Sequence, residues 1–574
     1  MADFRKKLFG LAGALTMFSG MAFGQLCNGA GNNTLSLTLP VTALNIRAEG
    51  QTELLPALTL TCQATGAGTS TFNVLVQIPG VTVTSKVLSS STGLTEANIT
   101  GGGAGGTVTG PGTPTSPTFG TISSGNVITF TGLSITTTGA GPVTMTISDI
   151  RINASALPGG GAFPTAVTAN SFVQGTTFTT SGTSSGSGLN VAFVFNALAT
   201  TNTKVSTAIG AGNTTSGATY AVCNGVNSGS SGGAVSFYIA VTEGFASAFK
   251  KQADETGPSP VTLGTTTNAA TSGTRIKFIF NNVPTGLNIY MPLVVTASSG
   301  TDQISATTSE TGTFAAPTAA TSPGAIGGLT TTNSSGGFYQ VPVSGTTATA
   351  IYEVTTDALT VINTFYVPFA VSAAANAVTS FQTNPTMTVT TVLAPQTAAT
   401  QIPSFSSTPT DTVTANTFTF AACTTNLLFP FVTNANGFET GIAIANTSKD
   451  PFKSATPQSG TCTLNFYMSG VSGSTNPTAV TAPNLTEGAN QPFLAGETYA
   501  FTLTQALGVN TSNPATFQGY VIAQCGFSYG HGFAYILGGL QPGMFVNPTN
   551  TAMGYLALVL SRGTVGGITD PVTF

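Results

Sequence analysis

The sequence has no tryptophan, a single histidine (His531) and only 6% charged residues. Each scarcity excludes something. With one imidazole, any Ser-His-Asp or Cys-His mechanism must use His531 as its base, and no GxSxG-type nucleophile motif accompanies it. None of the six cysteines forms a CxxC pair or a cysteine–histidine spacing of the zinc type, and no acidic DxDxDG-like run is present. No metal site, cofactor site or catalytic constellation is therefore assigned. Ordinary soluble proteins carry about 25% charged residues. Here Thr, Ser, Asn and Gly must hold water instead.

The ends bound the setting. Arg5, Lys6 and Lys7, the apolar run 8–18 and the small residues Ala22 and Gly24 have the layout of a secretory signal peptide over 1–24. The apolar run is short for a membrane span, and Leu26 stands before Cys27 where a lipid-attachment signal wants a small residue. Loss of 1–24 removes three positive charges and Asp3, taking the net charge from −4 to −6. A mildly acidic chain without a basic cluster is a poor nucleic-acid binder. No further long apolar run follows, so the mature chain is expected without a membrane span, secreted or at a cell surface. Asp570 and Pro571 spoil the terminal strand that an outer-membrane barrel would need.

What is present is β-forming. The chain is 41% apolar with 37 phenylalanines, enough for packed cores. Segments rich in Val, Ile, Thr, Phe and Tyr recur between Gly, Pro, Asn and Ser, as in 72–78, 127–135 and 143–152. They predict an all-β chain of tandem, immunoglobulin-like β-sandwiches. The stretch 275–295 reads as a hairpin turned by Pro284 and Gly286. One short helix is expected within 242–255, near 243–253, where Phe245 and Phe249 are one turn apart. The Gly/Ser/Thr-rich stretch 101–118 reads as a loop, whereas 179–188, 315–328 and 401–412 read as borders. These give sandwich domains at 25–182, 183–320, 321–415 and 416–574.

Six cysteines in an exported chain permit disulfides in 15 connectivities. Cys27 with Cys62 is the candidate pairing. Three cysteines, Cys423, Cys462 and Cys525, lie near the C-terminus, so one of them is unpaired locally or reaches Cys223.

The stretches RAEGQTELLPALTLTC (47–62), FNNVPTGLNIYMP (280–292), TNLLFPFVTNANGFETGIAIANTSKDPF (425–452) and FQGYVIAQCGFSYGHGFAYI (517–536) resemble segments of large uncharacterised secreted proteins of acidobacteria. The resemblance implies export, a β-rich modular build and a bacterial surface setting, and it brings no catalytic residues with it.

Within CGFSYGHGFAYI (525–536), steps of two collect Cys525, Phe527, Tyr529, His531, Phe533 and Tyr535 on one face, and small residues with Ile536 on the other. The aromatic face is expected to be a core layer and the small face a smooth surface. Should the aromatic face instead be open, Tyr529 and Tyr535 are the candidate ligand-facing residues of a carbohydrate-binding module; Tyr520 falls on the opposite parity unless a bulge intervenes. The acidic residues, among them Glu49, Glu53, Glu243 and Glu353, sit near turns or strand ends and read as solvated charges. Arg47 with Glu49, and Asp149 with Arg151, are two apart on their strands and read as surface ion pairs. The preferred function is a non-enzymatic structural or adhesive surface protein, with self-association or a surface polysaccharide as partner. A glycoside hydrolase, built on a carboxylate pair from distant segments, is the remaining rival.

Overall fold

The computed structural model describes residues 36–38 and most of 43–560; outside the description lie 1–35, 39–42, 104–105, 110–116, 160–163, 175–187, 200–203, 207–217, 223–237, 259–260, 321–333, 374–384, 397–400, 408–412, 423, 450–458, 470–475, 484–491, 528, 539–551 and 561–574. The expected signal segment, Cys27, Cys223 and Cys423 fall outside it, as does the side chain of Cys62. The pairing of Cys27 with Cys62 thus lies beyond the described residues.

Strands with a two-residue apolar period bury one side and wet the other, and they need a second sheet to cover the buried side. The chain meets that need with tandem β-sandwiches: an all-β fold of several sheets, with two short helices among the described residues. Three main apolar cores result, one around Leu58, Val74, Phe130 and Ile147, one around Phe278, Tyr352, Phe369 and Phe418, and one around Phe429, Ile444, Phe466 and Val521.

In the first body two long strands, Leu58–Gln77 and Val127–Ser148, pair antiparallel from Leu58↔Ile147 to Gln77↔Val127. Their register shifts between Phe130 and Leu133, where Gly132 takes a φ of 69° and donates its N–H to Asn73 Oδ1 at 2.9 Å. This is a bulge whose left-handed position wants glycine. The glycine-rich stretch read as a loop is partly strand: 101–103 closes the strand Leu94–Gly103, and Gly106–Thr109 pairs with Val127–Ser148. A Cβ on Gly106 would stand 2.3 Å from the Thr136 carbonyl oxygen, so glycine here permits close approach of two backbones rather than a flexible link.

The expected borders move because sheet partners come from far along the chain. Leu189–Phe195 pairs with Thr165–Gln174 and, in parallel, with Leu44–Arg47, so it belongs to the first body and not to one beginning at 183. Arg275–Asn281 lies between Thr347–Thr356 and Thr386–Ala394 in one sheet, so the border near 320 does not separate two sheets. Val413–Ala422 pairs with Thr386–Ala394, which leaves Thr425–Thr433 as the first strand of the last body.

Two local expectations are corrected. The 275–295 stretch is not a hairpin, because Arg275–Asn281 and Leu287–Thr296 pair with other strands and not with each other. In the segment read as a helix over 242–255, only Gln252–Glu255 is helical. Ser247 has a φ of 73°, which breaks a right-handed helix, and the two rings part company: Phe245 packs on Phe195 and Phe249 on Phe365. The second helix, Leu503–Gly508, carries a complete capping box between Thr502 and Gln505, a T-x-x-Q signature legible in the sequence and not read there.

The last body is a two-sheet sandwich. Val480–Ala482, Cys462–Met468, Gln518–Cys525, Thr425–Thr433 and Leu558–Leu560 form one sheet in that order; Thr498–Thr502, Phe438–Asn446, Gly530–Gly538 and Ala552–Leu556 form the other. The chain passes between the sheets at the NANG turn, where Asn436 and Gly437 take φ of 56° and 78°, and again at Ala557.

Candidate functional site

The 525–536 stretch is two strands, not one. Gln518–Cys525 ends in a disulfide to Cys462, directly opposite it in register, with an S–S distance of 2.00 Å. The chain bends at Gly526, Phe527 and Tyr529 and enters the opposite sheet at Gly530. Tyr529 takes a φ of 61°, and its carbonyl accepts from the N–H and hydroxyl of Thr447 at 3.1 and 2.6 Å. Tyr529 is half-buried in this turn and does not share a strand face with Tyr535.

Beyond the turn the expected faces are reversed. Gly530, Gly532, Ala534 and Ile536 point inward, whereas His531, Phe533 and Tyr535 point to solvent. The reason lies in the other sheet. A Cβ on Gly532 would stand 2.7 Å from the Phe429 ring and 3.2 Å from Leu427, and one on Gly530 would meet Phe527 at 3.2 Å. Rings from elsewhere already fill that side of the core, so the strand contributes small residues inward and its own rings go outward.

Phe533 is 41% and Tyr535 37% exposed, with ring centroids 6.2 Å apart and planes within 29° of parallel. Neither ring stands upright on its own strand. A Cβ on Gly441 would fall 2.2 Å from Tyr535 Cζ, and one on Gly554 would fall 2.7 Å from Phe533 Cζ. Each ring therefore reclines over a neighbouring strand, across a glycine that leaves room for it. Leu556, opposite Phe533 and 75% exposed, extends the apolar surface.

Apart from the Glu439↔Leu537 pair at one end, the remaining register partners on this face are small or hydroxylated. Gly441 lies between Tyr535 and Thr502, Ala443 between Phe533 and Ala500, and Ala445 between His531 and Thr498. No nucleophile or carboxylate stands directly opposite His531 on the Phe438–Asn446 strand. On the outside of the other sheet Tyr467 and Tyr520 are directly opposed and stack at 4.7 Å and 11°. Phe533 and Tyr535 form the wider and more tilted of the two stacked pairs.

A second concentration of chemistry is buried. Arg47, read as a surface partner of Glu49, is 1% exposed and instead pairs with Glu53 and Glu255, both at 2.7 Å. It also donates to Thr274 Oγ1 at 2.9 Å and lies 4.9 Å from the centre of the Phe405 ring. Arg151 pairs with Glu96 at 3.2 Å and donates to the carbonyls of Thr52 and Glu255. Glu49 turns away to accept the Ala197 N–H on both carboxylate oxygens. Glu353 holds Arg275 at 2.7 Å. Of these contacts, Arg47 with Glu255 and Thr274, and Arg151 with the Glu255 carbonyl, cross between the first and middle bodies and form a seam beside the Gly50↔Phe405 bridge and the Gln51 N–H donated to the Ser404 carbonyl at 2.8 Å. The reading of these residues as surface charges fails because their partners lie in distant segments.

Burial sets the electrostatics of the seam. It raises the carboxyls of Glu49 and Glu96, with backbone N–H donors and arginines opposing. For Glu255 burial also favours the neutral form, but Arg47 and Lys250 outweigh it and hold the carboxyl below its ordinary value. Glu243 accepts backbone N–H groups from Phe249 and Asn363, each at 2.8 Å, yet burial, reinforced by nearby Asp302, pushes it up to about 7.

A measurable pH effect follows from Glu243. Because its folded value exceeds the ordinary 4.5, its contribution to stability is greatest below about pH 4.5 and is lost as pH rises through about 7. The expected loss is on the order of 2–3 kcal/mol. Urea titrations of wild type and Glu243→Gln between pH 4.5 and 7.5 check this: the stability difference between them should change across the window, and parallel curves would contradict it.

Among the described residues no cluster of three or more His, Cys, Asp or Glu could hold a metal ion. No helix among them is long and apolar enough to cross a membrane. No family model matches the chain, and no curated protein matches it.

Proposed function

We propose that the chain is a non-enzymatic structural and adhesive protein of the cell surface or extracellular space, in which tandem β-sandwiches present the aromatic outer face of the last body. The observation that carries this reading is where the charges and rings go. Buried ion pairs are withdrawn into a seam where Arg47–Glu255 links the first two bodies, while a pair of exposed aromatic rings faces out on the third. A surface of hydroxyl and small side chains with few net charges has little long-range repulsion between copies, which favours assembly. The Cys462–Cys525 disulfide fits an oxidising compartment, as the leader-like start does. The seam carboxylates are engaged by guanidinium or backbone N–H groups rather than opening on a cleft, which favours a packing role over an acid–base pair.

The test is light scattering on the mature chain, residues 25–574, over a rising concentration series, together with an assay for polysaccharide turnover. Concentration-dependent assembly without turnover is expected. A chain that stays monomeric and cleaves a polysaccharide would overturn the reading.

A further inference from the structure

We infer that the reclining pair Phe533 and Tyr535 is a binding platform for a neutral polysaccharide chain of pyranose rings, an inference that rests on the surface setting proposed above but not on self-assembly. A ring lying across a neighbouring strand turns one π face to the sheet and the other to water. Two glycines at the points of crossing, Gly441 and Gly554, make this posture available. A pyranose has an apolar face of C–H bonds and a rim of hydroxyls. Stacked on an aromatic face it buries the apolar side, and its slightly positive C–H edges meet the negative ring face. Two platforms with centroids 6.2 Å apart and planes within 29° accept consecutive sugar rings of one chain.

The chemistry around the rings selects the class of polymer. Thr498, Thr502 and His531 share the outer face with the rings and are hydroxyl and imidazole groups suited to the sugar rim. The nearest acid at this end of the face, Glu439, is already engaged by the N–H and hydroxyl of Thr504. No lysine or arginine occurs in the four strands of this sheet, so nothing on them would hold a carboxylated or sulfated sugar. A neutral glycan satisfies every group present. The Tyr467–Tyr520 pair serves as an internal contrast, since its rings lie closer, at 4.7 Å, and nearly parallel, against the wider and more tilted Phe533–Tyr535 pair at 6.2 Å.

The experiment is affinity electrophoresis of the mature chain through gels containing mixed-linkage β-glucan, xylan or galactomannan, with alginate and heparin as anionic comparators. At least one neutral polymer should retard the chain, and neither anionic polymer should. Tyr535→Ala and Phe533→Ala remove exposed rings and should each weaken retention about tenfold, a change of about 1.4 kcal/mol. Gly441→Ala keeps both rings but places a Cβ 2.2 Å from Tyr535 Cζ, so the phenol must lift from the sheet and retention should fall similarly. Thermal melting of each variant confirms that the sandwich is intact. No retardation by any neutral polymer, or retardation unchanged in all three variants, would overturn the inference. So would loss of self-association in Tyr535→Ala without any glycan effect, which would assign the face to a second copy. Glycan retention by a chain that never assembles would instead sink the assembly proposal and leave this one standing.

Discussion

Glu255→Ala should destabilise the protein by about 3–5 kcal/mol, the cost of stripping one partner from a buried ion pair. In the intact protein the Glu255 carboxylate takes Arg47 Nη1 at 2.7 Å, Arg47 Nη2 at 3.1 Å and the Thr274 hydroxyl at 2.8 Å. Its loss leaves Arg47, 1% exposed, with Glu53 as its remaining carboxylate. The larger cost is the stranded guanidinium rather than the missing attraction. The triple substitution Arg47→Met, Glu53→Gln and Glu255→Met should therefore cost less than Glu255→Ala alone, because the guanidinium, which cannot lose its proton, leaves together with its carboxylates, whereas the neighbouring Lys250, already pushed down by burial, can release its own. Urea titration measures both. Because the pair joins the first body to the middle one, Glu255→Ala should also split a shared unfolding transition into two. A change below about 1 kcal/mol would place the pair with exposed ion pairs and contradict the seam.

The seam also marks what a reader of the sequence can and cannot obtain. That Arg47 and Glu49 share a strand side follows from their spacing; that this side is interior depends on Glu255, 208 residues from Arg47. Local pattern carries the period of a strand, but which face is core is decided by what the facing sheet brings. At 530–536 the small residues are inside because Phe429 and Leu427 already occupy the space. The same holds for borders: low-complexity stretches mark where the chain loops, whereas body membership is set by pairings such as Arg275–Asn281 with Thr386–Ala394. What was legible is local. The all-β class, the turn at Asn436 and Gly437, and the strands Thr425–Thr433, Phe438–Asn446 and Cys462–Met468 follow from alternation and turn chemistry. Of the two tyrosines singled out as ligand-facing, Tyr535 is on the open face. Tyr529 is not, because the strand breaks before it.

Replacing Cys462 and Cys525 together by alanine should cost the last sandwich about 4 kcal/mol, the loop-closure value for a bridge spanning 63 residues. Most of this acts on the unfolded chain, which gains freedom when the crosslink goes. The folded sheet retains six further register pairs between Cys462–Met468 and Gln518–Cys525, from Thr463↔Gln524 to Met468↔Gly519. Thermal melting should therefore show one transition lowered and the seam-linked bodies unchanged. The alanine pair is cleaner than a reductant, which would act on every disulfide at once. The consequence for binding is specific: Gly530–Gly538 begins five residues after Cys525, and its rings are held by cross-strand glycines rather than by the bridge. Below the lowered transition the double variant should retain glycan as well as wild type, and above it retention should vanish. Weakened retention while the sandwich is still folded would mean that the bridge itself positions the platform through the bends at Gly526, Phe527 and Tyr529.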